Sequence, residues 1–461
     1  MIFNKKLAVA VSGAVLLMAG QFALADSTTD IVDALVSKGV LTEEEGKLIT
    51  KGAQSKAKAD EKANKARVSL GSFIENATMY GDVRARYEQR LSSGHYAANA
   101  TDDDYTRSRP RYKLTLGLKT ETKDFYSDVA FVVGSGGRSD NATMGKSSTS
   151  YNDKEAVYLK RAMIGWKATD WLGIEAGRMD NPFVTHPAFW DADLGVEGLV
   201  EKFKFKTGDT DLFFTAGQLV YKGDRINNEA AASVINTTTA ELWKFQAGAA
   251  FPVTEKASGK LALTYTEYGN NPTSAFRAYG STTAYSSMAY YGVNDLTFIE
   301  VPAEINFMAS NSVGIRFYGD YQVNLDADKR AEKSLTIGGL GNDSDDTAWV
   351  LGVRVASAPD LKTFAGNKAK TGDWSATLWY QDVGVWAADP NTVDSDFMDS
   401  RVNMKGVVFK GQYNILDNVY FNLAAGHAKR KNDYYGSVGQ GDMQQNLKDF
   451  DLYQFDLTYK F

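Results

Sequence analysis

The 461-residue chain has no cysteine and only three histidines. Without a thiol it can hold neither a disulfide nor a thiolate metal site. His95, His186 and His427 stand far apart with no ligand spacing between them, so neither a metal nor a cofactor is expected. Long apolar runs are missing too: after the signal-like start none approaches the roughly 20 residues that a spanning helix needs, which excludes a helical membrane protein. Nor is there an excess of positive charge, with 51 Lys and Arg against 57 Asp and Glu. That balance argues against nucleic acid as a partner. Prolines number only 8, so few positions interrupt an extended chain.

What the chain does have is glycine (41), tyrosine (24) and phenylalanine (24), set in many segments of alternating character. In the last, FDLYQFDLTYKF, Tyr453, Phe455, Leu457, Tyr459 and Phe461 share one parity, and Gln454, Asp456, Thr458 and Lys460 the other. A strand puts successive side chains on opposite faces, so this segment has one apolar and one polar face. The apolar face points to a core in a soluble sandwich and to lipid in a membrane barrel. The first alternating segments decide between them. Arg84, Arg86 and Arg90 share a parity with Asp82 and Glu88, and Arg107, Arg109, Arg111 and Lys113 share one in the next segment. Such a basic face needs water beside it, which the lumen of a wide barrel supplies and a packed core does not.

About sixteen such segments follow one another. Short connections (KTETKD, ATD, KTGDT, NILD) alternate with long ones near 91–105, 134–153, 180–196, 222–239, 270–295, 326–346, 385–399 and 431–448. One connection, SAPDLKTFAGNKAKTGD, is long where a short one is due. The expected fold is all-β: a transmembrane antiparallel up-and-down β-barrel of about 16 strands over residues 73–461, with short periplasmic turns and long extracellular loops. Lys160 and Arg161 are adjacent charges within one strand, which predicts a β-bulge there. Trp166, Trp171, Tyr459 and Phe461 lie at strand ends, as interfacial girdles require.

The first 25 residues read as an export signal, with Lys5 and Lys6 before an apolar stretch and Ala23-Leu24-Ala25 as the cleavage site. Residues 26–72 form a separate short α-helical periplasmic extension or linker. Gly39 ends one helix, and Thr42 with Glu45 caps a second. Lysines within 26–67 offer a contact with peptidoglycan.

The DALVSKGVLTEEEGKLI helix pair, the segment RAMIGWKATDWLGIEAGRMDNPF and the aromatic terminal strand resemble Gram-negative outer-membrane porins, and more narrowly the putative-porin family with a short helical N-terminus. The resemblance implies a passive, water-filled channel for small hydrophilic solutes and ions, often a homotrimer, set in outer-membrane lipid and lipopolysaccharide. It names no particular solute.

The stretch 180–196 follows the fifth strand, and in general porins the loop at that place folds into the barrel and narrows it. Here it carries Asp191 and Asp193, with Glu197 at its edge. Folded inward, these acids would face Arg84, Arg86, Arg107, Arg109 and Arg111 and set a transverse field that governs conductance and ion preference. The alternative is a loop that lies over the mouth, with arginines lining a wide vestibule. Two other functions remain open. One is a structural anchor that tethers the envelope through the N-terminal helices. The other is an outer-membrane hydrolase, for which His427 has the right position but no serine elbow or neighbouring carboxylate pattern.

Overall fold

In the computed structural model the described residues are Thr42, Glu44 and Lys47, then 74–93, 105–134, 139–145, 154–222, 240–269, 296–336, 345–357, 370–394, 396, 402–432 and 448–461. Phe73–Phe461 form one compact unit. The signal segment lies outside the described residues, as does the helical extension apart from those three, of which Glu44 and Lys47 are helical.

The strands are β1 (Asn76–Ser93), β2 (Tyr105–Glu121), β3 (Phe125–Gly134), β4 (Ala142–Thr143), β5 (Ala156–Lys167), β6 (Leu172–Asp180), β7 (Gly195–Thr207), β8 (Thr210–Lys222) and β9 (Ala240–Thr254). They continue as β10 (Ala257–Gly269), β11 (Thr297–Met308), β12 (Val313–Asn324), β13 (Thr347–Ser357), β14 (Trp374–Val383), β15 (Met404–Leu416), β16 (Val419–Arg430) and β17 (Asp449–Lys460). Sixteen are long, and the two-residue β4 only extends the edge of β2 at Arg111↔Thr143. Every long strand pairs antiparallel with its sequence neighbours, and β17 pairs with β1 from Asp82↔Lys460 to Ser93↔Asp449. The sheet therefore closes and has no free edge, as a strand-built membrane span demands.

The alternation resolves as an inverted protein. Phe455 and Leu457 are 44% and 50% exposed, while Gln454 and Asp456 between and beside them are 3% and 4% exposed. The same reversal, with apolar residues outside and polar ones inside, runs through β1, β2, β10 and β12, where Val83, Tyr87, Leu114, Leu116, Leu261, Leu263, Phe317 and Tyr321 face outward. Only lipid makes that arrangement favourable. Aromatic clusters such as Trp171 with Phe203 and Phe205 band this outer surface near the short turns.

Local chemistry sets the irregularities. Ala130 pairs with Arg161 and Phe131 with Leu159, so Lys160 is the extra residue of a bulge. Gly208 takes φ 58 as the first of two residues in the β7–β8 turn, a conformation that suits glycine. Asn403 has φ 58 and its side-chain Nδ2 donates to the Asn432 carbonyl at 3.0 Å. β15 consequently starts at Met404, a few residues later than the alternation predicts. A helix, α1 (Ala327–Thr336), stands where a plain loop is expected. Its alanines and long charged side chains favour helix, and Asp326 precedes it as a cap residue. The long connection between β13 and β14 does not shift the register, since the two pair directly from Ala348↔Val383 to Ala356↔Ser375.

Candidate functional site

Two connections at the long-loop end fold into the lumen. The first, residues 181–194, leaves β6, and its anchors lie across the barrel. The Val184 amide donates to Gln246 Oε1 on β9 at 2.9 Å, and Gln246 Nε2 returns a bond to the Val184 carbonyl at 2.8 Å. The His186 amide donates to Asp320 Oδ2 on β12 at 2.8 Å. β6 and β12 are six strands apart in a sixteen-strand ring, so this loop crosses the lumen. The His186 ring stacks on Tyr318 (5.8 Å) and meets Trp379 edge-on (5.4 Å). Burial pushes the His186 imidazole down to about 3, and Lys410 acts in the same direction. Apolar residues secure both flanks. Phe183 packs among Met179, Val200, Leu219 and Leu242, and Ala188 with Phe189 packs among Val350, Val408, Phe450 and Leu452.

The second inward segment, 384–396, follows β14. Gln322 and Asn324 of β12 donate to the carbonyls of Ala387 and Trp386 at 2.7 and 2.8 Å. Asp389 accepts the hydroxyls of Tyr221 (2.7 Å) and Tyr268 (3.0 Å), on β8 and β10. The segment then reaches back to β1, where Asp396 lies 3.3 Å from Arg86 and 3.4 Å from Arg90. Sequence reasoning missed this segment. The available signal was Val385-Trp386-Ala387-Ala388, apolar residues continuing where a solvated loop should begin.

The basic face of β1 and β2 is a packed ion network. Glu88, itself fully buried, sits at its centre, 2.9 Å from Arg90, 2.5 Å from Arg109 and 3.3 Å from Arg111, with Gln454 donating at 3.0 Å. Arg86 makes a two-pronged contact with Asp456 at 2.7 and 2.9 Å. Arg86, Arg109 and Arg111 are all under a tenth exposed. The cause lies in the strand's own alternation, because Glu88 shares the arginines' parity. The expected opposition of acids and arginines is thus only partly assembled. Asp396, not Asp191 or Asp193, supplies the loop carboxylate to Arg86 and Arg90. Asp193 instead accepts the Asp140 amide at 3.3 Å, and Asp140 pairs with Lys160 and Lys113. Asp191 caps its own loop by accepting the Asp193 amide at 2.9 Å. Arg84 donates to Asn141 and Arg107 lies opposite Arg90 across the β1–β2 pairing. Glu197 faces away from the arginines and pairs with Arg178, its direct partner across β6 and β7.

Charge on the inward segments follows from this network. Burial alone would raise the Asp396 carboxyl, but Arg86 and Arg90, with the Gln454 hydrogen bond, hold it below the ordinary carboxylate value. Burial and then the Asp396 charge push Asp394 up to about 6. Burial and then the Asp193 charge also raise Asp140, against the pull of Lys160 and Lys113.

Two cavities flank the 181–194 loop toward the short-turn end. One, about 330 Å³, runs from Val184–Pro187 to β10–β15. The other, about 750 Å³, runs from Asn181 to β1–β7 and is lined by paired charges, among them Arg161 with Asp128 and Lys202 with Glu175. On the outer surface His427 Nδ1 lies 2.7 Å from Asp451 Oδ1, a carboxylate neighbour that the sequence spacing does not reveal. No serine among the described residues bonds to that imidazole.

A closed antiparallel barrel with a lipid-compatible exterior, a charged lumen and two connections folded inward is a membrane-spanning channel barrel. Residues 88–286 match the family model described as putative porin, and the fold is that of a porin-like all-β barrel. A search of the curated proteins finds no match. Among solved structures, the outer membrane channel DcaP of Acinetobacter baumannii aligns at TM-score 0.40 and 13% identity, over 84% of this chain and 97% of that one. OprB of Pseudomonas putida aligns at TM-score 0.48 and 12% identity, over 84% and 94%. OmpF of Salmonella typhi, solved with daunomycin, aligns at 0.44 and 11%, over 84% and 97%.

Proposed function

We propose that the protein is a passive diffusion channel for small hydrophilic solutes and ions, and not an enzyme. The observation that carries this reading is the pair of inward segments held against a charged lumen: a barrel serving only as an anchor has no need of them. Arg84, Arg86, Arg107, Arg109 and Arg111, with Asp396 added and Asp191 and Asp193 on the facing loop, set the field that a crossing solute meets. Glu197 is left to the outer surface. The chain is exported by residues 1–25, carries residues 26–72 as a periplasmic extension in reach of peptidoglycan, and assembles as a homotrimer among outer-membrane lipid and lipopolysaccharide. Single-channel recording of the refolded protein, with salt gradients for the reversal potential, tests the proposal. Discrete conductance steps whose ion preference changes when Arg84, Arg86 and Arg109 are neutralised support it. A silent barrel would favour the tether.

A further inference from the structure

The smaller cavity, under the 181–194 loop, carries more cations than acids. Arg316 and Arg354 are direct partners in the β12–β13 register, and both line this cavity. Like charges directly opposite on one face of a sheet destabilise it. Arg316 is offset by Glu304 at 3.4 Å and by Asn306 Oδ1 at 2.9 Å. Arg354 has a hydrogen bond to Ser375 Oγ at 3.3 Å, but its Nε is buried with no partner, and no carboxylate among the described residues lies within salt-bridge distance of it. Lys260 and Lys410 line the same space, so four cations face two carboxyl groups, Glu304 and Asp320. Asp320 is already engaged by the His186 amide. Part of the remaining wall is aromatic, where His186 lies between Tyr318 and Trp379, and the rest is small or aliphatic, with Val184, Pro187 and Pro302 among it. The imidazole, held neutral by burial, adds no charge of its own.

We infer that this cavity is a binding site for a small organic anion, a carboxylate carried on a flat apolar group. Arg354 and Arg316 take the carboxylate, whose two oxygens match the guanidinium fork. The His186, Tyr318 and Trp379 wall takes the ring. A cavity of about 330 Å³ holds one such molecule. An inorganic anion would use the charges and leave the aromatic wall idle, and a cation would be repelled. The position deepens the diffusion reading, on which it rests: three residues from the start of β12 and from the end of β13, about 10 Å in from the periplasmic strand ends, the site lies directly under the loop that crosses the lumen.

The test uses full-length refolded protein in detergent micelles, where binding is read without conduction. Benzoate is titrated by calorimetry and by tryptophan fluorescence, beside benzamide, benzylamine and sulfate. Saturable benzoate binding is expected, with benzamide and benzylamine weaker by roughly tenfold or more, the loss that follows when one partner of a charged hydrogen bond is removed, and sulfate weaker by a similar factor because it leaves the aromatic wall unfilled. Arg354→Gln should weaken benzoate by a similar factor and Arg354→Lys by less, with heat-modifiable migration on gels showing that each variant folds. Equal binding of benzamide, equal competition by sulfate, or undiminished binding to Arg354→Gln overturns the site. Conductance in bilayers without benzoate binding overturns this site alone. Benzoate binding by a barrel that never conducts overturns the diffusion reading and leaves the site standing.

Discussion

Glu88→Gln should be the most damaging isosteric change in the barrel. The carboxylate has no exposure and touches Arg90, Arg109 and Arg111 within 3.3 Å, with Arg86 at 3.9 Å. Its amide would leave Arg109 and Arg111 with no carboxylate in salt-bridge distance among the described residues, and Arg86 and Arg90 with Asp456 and an Asp396 side chain that keeps 31% of its surface exposed. Removing one partner from a buried ion pair costs about 3–5 kcal/mol, because the stranded charge has lost its water and its counter-charge together. With a urea m-value near the upper end of the ordinary range, that loss moves the unfolding midpoint down by about 1 M or more. Urea titration in micelles, followed by tryptophan fluorescence, reads the shift. A second step isolates the cause: Arg109→Leu added to Glu88→Gln should recover part of the loss, since it removes one stranded charge. An unchanged midpoint, or losses in the double variant that simply add, would refute the view that Glu88 holds the network together.

Three further outcomes follow from the inward segments. Asp396→Asn should free the 384–396 segment from Arg86 and Arg90, giving larger and noisier single-channel currents and a shift toward anions in the reversal potential. Asp394, raised to about 6, titrates in an accessible range. Its folded value lies above the ordinary carboxylate value, so the stability it contributes is present in acid and is lost as pH rises through about 6. Acidification from pH 7 to 5 should therefore firm the segment and lower cation preference by one charge, and Asp394→Asn should abolish that step in a pH series of reversal potentials. Tyr221→Phe removes a 2.7 Å hydrogen bond to the buried Asp389 carboxylate. A bond to a charged group contributes about 1.5–3 kcal/mol, a loss that urea titration should detect.

The barrel was legible because a period of two needs no partner information. Once Arg84, Arg86 and Arg90 share a face, that face must turn into the lumen, away from lipid, and Val83, Ala85 and Tyr87 must face lipid. Lys160 beside Arg161 marked the bulge for the same reason. The site was legible only in part. The 181–194 loop could be placed by its position after the fifth long strand, and Glu88 was visible among the arginines of its own parity. Its role as their counter-charge was not, because alternation reports a face and not a distance. Asp396 meets Arg90 across 306 residues of sequence and Asp389 meets Tyr221 across 168, and no spacing rule reaches that far. The outward turn of Glu197 was open to the parity reading but was overlooked when the residue was assigned to the loop edge. It follows from the parity of β7, where buried Val196 precedes it and Arg178 stands opposite.

The two inward segments hold each other as firmly as the wall holds them. The Asp191 amide donates to the Thr392 carbonyl at 2.6 Å, the Asp394 amide to the Pro187 carbonyl at 3.1 Å, and Thr392 Oγ1 to the Phe189 carbonyl at 3.3 Å. Ala188 and Phe189 from one segment and Ala387, Ala388 and Val393 from the other join a single apolar cluster against β13–β17. Neither segment buries its own backbone polar groups alone, so each supplies the partners that the other would otherwise lack. Loosening either should therefore loosen both. The ion pairs of Asp396 with Arg86 and Arg90, at one end of this assembly, and the anion-binding cavity under His186, at the other, are joined through it. A substitution at Asp396 that leaves benzoate binding untouched would show that the segments move independently, and one that weakens it would show that the lumen responds as a single packed element.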